Sequence, residues 1–167
     1  MTGLKLDAAL ARRQRRGLPA GLILCADTTV ALGRQILGKP SDAAQAGTML
    51  RQLGGRVHRV LTAVAVAVAN GRTRAAALGV SREFAPLAAA AIRAYVASAE
   101  PMGNAGAYAI QGRAGAFARA IHGSYSGIMG LPLFETARLL RGVGMWPMSS
   151  TANPKANRHR WRGPARP

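Results

Sequence analysis

Asp27, the two hydroxyls behind it on Thr28 and Thr29, and Lys39 twelve positions further on are the first groups in this chain whose types and spacing suit chemistry. A carboxylate can hold a divalent cation or take a proton from water, and an ammonium can neutralise phosphate oxygens. Together they suit a metal and a phosphate. The same residues, taken one at a time, also suit a turn-capping aspartate and a solvated lysine before a proline, so the rest of the chain has to decide.

The elements that would hold them follow from periodicity. Leu22 to Ala26, an unbroken apolar run, predicts a buried strand ending on Asp27, the place where α/β proteins put their chemistry. Ile36-Leu37 is a second short apolar stretch running into Gly38-Lys39-Pro40. Before them, Leu4 to Arg16 predicts a helix with Leu4, Leu6, Ala9 and Leu10 on one face, basic residues in its last turn and Gly17 closing it. After them, Ser41 to Leu53 predicts a helix with Ser41 or Asp42 as N-cap and Gly54-Gly55 as its stop.

Val57 to Ala69 alternates large and small residues, which predicts a strand with Val64, Val66 and Val68 on one face and alanines on the other. Asn70-Gly71 is a strong hairpin signal, so a returning strand is expected over Arg74 to Phe84. Pro86 to Ser98 predicts an alanine-rich helix with Leu87, Ala91, Ile92, Tyr95 and Val96 inward. Gly103 to Gly115 has the small, flexible composition of a loop approached closely by backbone or ligand. Short strands at Phe117 to Ile121 and at Ile128-Met129, then a helix from Leu133 to Arg141, complete a domain of residues 1–144. Residues 145–167, rich in proline and arginine and without periodicity, read as a disordered basic tail.

Composition sets outer bounds. With 167 residues, 49% of them hydrophobic, the chain can bury one domain-sized core. A formal charge of +17 suggests a polyanionic partner. The excess, however, is concentrated at the two ends (Lys5, Arg12, Arg13, Arg15 and Arg16, then Lys155, Arg158, Arg160, Arg162 and Arg166) and otherwise scattered. Only 5% of residues are aromatic, which leaves few platforms for stacking nucleic-acid bases, so nucleic acid is disfavoured as the partner. The single cysteine, Cys25, excludes an internal disulfide and a cysteine-based zinc cluster and points to a reducing compartment, the cytoplasm. No apolar run reaches the length of a membrane helix, and the N-terminus has no signal-peptide core.

Five stretches, in order, resemble the Maf family of nucleoside triphosphate pyrophosphatases: ADTTV (26–30), ILGKP (36–40), ML-x-x-L-x-G with H-x-V-x-T (49–62), EP-x-x-x-AGAYAIQG (100–112) and GSYSGIMGLPLFET (123–136). The resemblance covers about Lys5 to Arg141. It implies an α/β fold with a mixed, twisted sheet flanked by helices, two-lobed in the manner of Maf and ITPase-like proteins, with substrate in the cleft. It further implies hydrolysis between the α- and β-phosphates of a nucleotide, with magnesium or manganese as a divalent cofactor. On this chain the family's catalytic and metal-holding aspartate falls on Asp27. Its phosphate-binding lysines fall on Lys39 and Lys5, and the positions that sort its branches fall on Thr28 and Gln111. The pair found here resembles the branch that acts on dTTP and UTP, where the amide of Gln111 would read a pyrimidine edge.

Two departures stand out. The family's first strand and its S-x-S-P-R-R phosphate-binding turn have no counterpart in these 167 residues, and Gly103-Asn104 stands where the family usually has Asp-Lys. The expectation is therefore a dTTP/UTP pyrophosphatase. A catalytically weak or inactive remnant is the main alternative, and a basic nucleic-acid-binding module is a weaker one. A homodimer is left open. His58 reads as a strand-end histidine with one hydrogen bond; Tyr108 and Tyr125 read as covers for a core edge or a base.

Overall fold

A computed structural model describes residues 2–68 and 71–145. Helix α1 (Thr2–Arg15) leads into β1 (Ile23–Leu32), which turns at Gly33 into the short β2 (Gln35–Leu37). Helix α2 (Ala43–Leu53) follows, then the long hairpin of β3 (Val57–Ala67) and β4 (Thr73–Phe84), and α3 (Ala89–Ala97). Single 3-10 turns at Ala105–Ala107 and Arg113–Phe117 shape the loop that reaches β5 (Ala118–His122). Two helices, α4 (Tyr125–Met129) and α5 (Leu133–Gly142), close the described chain.

The five strands form one sheet in the order β2-β1-β3-β4-β5. An α/β fold with its sheet flanked by helices is what the sequence led us to expect. Every pairing among the described residues is antiparallel, however, so the sheet is not mixed there. For β1–β2 and β3–β4 the connections are turns too short for the crossover that parallel neighbours need.

Period-two alternation divides the sheet into two faces. Val30, Val60, Val80 and Phe84 point to one face, where Met49, Leu50 and Leu53 of α2 and Ile92 and Tyr95 of α3 complete the main core. Further along that face, Val64, Val66 and Val68 pack against Leu139 and Val143 around α5. The alanines between those valines, Ala65 and Ala67, meet Leu6 of α1 on the opposite face, where small side chains let the helix approach. Helix α2 begins as expected, with the Asp42 side chain accepting from the Gln45 N–H.

Some expectations need correction. Leu4 is 69% exposed, because α1 covers only the end of the sheet and Leu6 alone of its leucines is deeply buried. Ile128-Met129 is helical: Ser124 caps the Gly127 N–H and turns the segment into α4. The helix expected from Pro86 starts at Ala89, and Ala91 faces outward. Asn70 of the hairpin, His159, and the tail beyond Met145 lie outside the described residues. No helix among the described residues is long and apolar enough to cross a membrane.

Candidate active site

Asp27 lies in the middle of β1, paired with Ala63, and not at a strand end as the apolar run suggested. The strand continues through Thr28, Thr29 and Val30, whose β-branched side chains favour it, until Gly33 turns it back. What makes a mid-strand carboxylate reachable is the edge of the sheet. Strand β2 pairs with β1 only over Val30 to Leu32, so among the described residues the outer edge of β1 from Ile23 to Thr29 has no strand beside it.

Alternation sends the Asp27 side chain toward α1 and the Thr28 side chain toward the other face. Lys5, one turn into α1, meets the Asp27 carboxylate in an ion pair, with the lysine half-exposed and the acid mostly covered. Around the open edge, both sides of the strand contribute to a single cleft of about 290 Å³, at the lower end of what small-molecule sites enclose. Lys5, Asp27, Thr28, Lys39 and Gln111 all line it, together with Tyr108, Ile128 and Gly130. All five residues singled out from the sequence are thus brought to one hollow.

They arrive from four places: α1, β1, the turn after β2 and the glycine-rich loop. Lys39 sits on the turn after β2, and the backbone of that turn is tied to the glycine-rich loop by a 2.9 Å bond from the Gly106 N–H to the Gly38 carbonyl. Gly106 is required there twice over: its φ of +70° is one that side chains resist, and a Cβ would stand 3.0 Å from Val30 Cγ1. Gly106→Ala should therefore cost about 1–3 kcal/mol in chemical denaturation, through left-handed strain and overpacking. It should also loosen the loop from the lysine turn, seen as faster proteolysis at residues 103–115. Unchanged stability and cleavage would refute this account of the loop.

Gln111 is presented by the same loop, and the residue that holds the loop was not singled out from the sequence. Glu100 accepts from the Tyr95 hydroxyl at 3.0 Å and the Arg113 N–H at 3.2 Å, while its own carbonyl accepts from Asn104 Nδ2 at 2.8 Å. Tyr95 in turn accepts from the Ala109 N–H. Burial works to raise the pKa of Glu100, but the Arg113 and Ala114 amides and the Tyr95 hydroxyl outweigh it and hold the carboxyl below its usual value. Glu100 is thus the loop's clasp rather than a group facing substrate, and Gly112 is small because a Cβ would strike that carboxylate at 2.2 Å. Asn104, one of the two departures from the usual Asp-Lys pair, serves the same clasp.

The wall behind Tyr108 was also missed. Tyr108 Oη is 3.0 Å from His58 Nε2, and both residues are buried. Arg82, fully buried, lays its guanidinium 4.5 Å above the Tyr108 ring and 4.6 Å from that of Phe84. His58 is therefore a core histidine with one side-chain hydrogen bond, as expected. Arg82 could have been found from the alternation Val80-Arg82-Phe84, which places it on the inner row of β4.

For a divalent cation, the donor set of the cleft can be tested directly. Among the described residues no three of His, Cys, Asp or Glu cluster as an all-protein cage would require. One carboxylate in an open cleft beside lysines instead suits a hydrated, magnesium-like ion that shares its ligands with phosphate oxygens. In that limited sense Asp27 fits.

Comparison with known proteins agrees in extent with this geometry. The family described as Maf-like protein matches residues 3–143. A dTTP/UTP pyrophosphatase of Polaromonas sp. is 64% identical over 146 residues, covering 87% of this chain and 71% of that protein. A dTTP/UTP pyrophosphatase of Albidiferax ferrireducens is 59% identical, covering 86% of this chain and 72% of its own length. One of Cupriavidus metallidurans is 60% identical, covering 85% and 70%. With a match that spans nearly all the described residues and includes every element lining the cleft, the chain belongs to the Maf-like protein family.

Proposed function

We propose that this chain is a cytoplasmic nucleoside triphosphate pyrophosphatase that converts dTTP and UTP to the monophosphate and pyrophosphate. The observation that carries the proposal is the convergence of one carboxylate, two lysines and one amide on a single cleft, in a chain at 59–64% identity to proteins named for that activity. Asp27 receives the proton of the attacking water or holds the cation, while Lys39 and Lys5 bring positive charge to the phosphate oxygens. Lys5 has a second task, since its ion pair fixes the rotamer of Asp27 at the open edge of β1. Gln111, held on the clasped loop, offers an N–H₂ and a C=O to the complementary edge of uracil or thymine.

A divalent cation, when bound at Asp27, would neutralise the triphosphate and polarise the scissile bond. The remaining work belongs to the chain: orienting the phosphates between the two lysines and reading the base at the far end of the cleft.

The test is pyrophosphate release by the purified chain with magnesium and a panel of nucleotides. The expected result is dTTP and UTP ahead of ATP, GTP and CTP by about tenfold or more in kcat/KM, the size of effect that one base-reading hydrogen bond supports. Purines cleaved equally well would remove the pyrimidine assignment. A folded, monodisperse sample that cleaves none would favour the catalytically weak or inactive alternative.

A further inference from the structure

The hydroxyl of Thr62, on β3, lies 2.7 Å from the Gly127 carbonyl oxygen and 2.9 Å from Thr28 Oγ1. A carbonyl can only accept, so the single Thr62 proton is spent on Gly127. Toward Thr28, Thr62 then has only lone pairs to offer. The proton of the bond between the two threonines must come from Thr28, and what Thr28 Oγ1 retains for the cleft is acceptor capacity alone. Thr62 is buried at 2% exposure, which removes solvent as a competing partner for its hydroxyl. Thr28 stays partly exposed in the cleft lining, across from Gly130, where a Cβ would come within 3.5 Å of its oxygen.

We infer that Thr62 is a positioning residue that locks Thr28 as a hydrogen-bond acceptor, so that the cleft selects ligands presenting an N–H or O–H donor at this point. The inference rests on the nucleotide reading of the cleft. Two groups of dTTP and UTP carry such a donor: the imide N–H, which Thr28 would then take in place of the Gln111 carbonyl, and a sugar hydroxyl. Cytosine has a bare ring nitrogen where uracil has its imide proton, and against Thr28 it would set lone pair against lone pair. The selection comes from hydrogen-bond polarity, with no change of shape required.

The experiment compares kcat/KM for UTP, N3-methyl-UTP and 3′-deoxy-UTP in the wild type and in Thr28→Val, Thr62→Val and Thr62→Ser. Wild type should disfavour at least one analogue by about 10- to 100-fold, mainly in KM, and the penalty that Thr28→Val removes identifies the donor as base or sugar. Thr28→Val should level that preference. Thr62→Val should weaken it, because the Thr28 proton is freed to rotate, and Thr62→Ser should restore it, a rescue that a purely structural role for Thr62 does not predict. A Thr28→Val enzyme that keeps the wild-type penalty against both analogues, or a wild type that shows neither penalty, overturns this inference while leaving the proposed activity standing. Failure of the folded wild type to cleave any triphosphate would overturn both.

Discussion

Asp27→Asn should reduce pyrophosphate release by about 10²- to 10⁴-fold while leaving the protein folded. Asparagine matches the shape of the carboxylate but can neither take a proton from water nor supply the charge that a hydrated cation needs. The accompanying loss of stability should be small. The ion pair that the substitution breaks is with Lys5, whose side chain is 51% exposed, and pairs of that kind contribute about 1 kcal/mol or less. A melting temperature within a few degrees of wild type, alongside the lost turnover, is therefore the expected combination.

Lys5→Met separates the two tasks given to that lysine. It leaves the carboxylate in place but unclamped and removes one charge from the phosphate end, so a smaller loss is expected, about tenfold to a hundredfold, shared between KM and kcat. If the aspartate acts by holding the cation, raising the magnesium concentration should recover part of the activity in Lys5→Met and none in Asp27→Asn. Wild-type turnover by Asp27→Asn would remove the carboxylate from the mechanism altogether.

How much of this was legible beforehand depended on the range of the interaction involved. Asp27, Thr28, Lys39 and Gln111 could be singled out because each sits in a local motif, and Lys5 because the resemblance places a lysine on the helix before that strand; all five share one cleft. The position of Asp27 within its strand was misread for a physical reason. A carboxylate and two hydroxyls after an apolar run look like a strand terminus, yet β1 pairs with β3 continuously from Ile23 to Ala31 and can carry polar residues at an open edge. Polarity marked solvent access, and access came from the edge of β1 that no described strand covers rather than from the end of the strand.

The residues that were missed act only through tertiary register. Glu100 and Asn104 belong to a recognisable motif, but the clasp they form depends on amides up to fourteen residues away and on Tyr95 of α3. Thr62 becomes informative only once β3 lies against β1 and places it opposite Thr28. Similarly, His58 and Arg82 are direct cross-strand partners in the β3–β4 register, a pairing that no local pattern announces.

That pairing leads to an expected acid instability. His58 is pushed down to about 4 from an ordinary value near 6.5, first by burial and second by the charge of Arg82. In the unfolded chain the imidazole binds a proton near pH 6.5; in the folded protein it remains neutral until about pH 4. Between those values the unfolded state binds more protons, so stability falls as the pH is lowered through this window and is fully present above it. The shift amounts to about 3 kcal/mol of unfolding free energy lost between pH 6.5 and 4, a substantial part of what a domain of this size possesses.

Urea denaturation at intervals across that range should reveal the loss, and His58→Gln, which keeps a group able to bond Tyr108 but has no proton to gain, should flatten it. Depressed carboxylates such as Asp42 and Glu100 contribute a slope of the same sign at lower pH, so the difference between wild type and His58→Gln isolates the imidazole. Arg82→Met gives the second half of the argument. The guanidinium is buried with none of its three nitrogens in a well-formed hydrogen bond, and it lies against the Tyr108 and Phe84 rings, an arrangement in which desolvation outweighs the attraction of those rings. A methionine of similar length should raise stability at pH 7 by about 1–4 kcal/mol. It should also shrink the acid loss and lift the lower limit of its window above pH 4, because His58 loses the neighbouring charge that helps keep it neutral while the burial remains. An acid slope equal in wild type and His58→Gln would show that the imidazole beneath Arg82 is not what titrates.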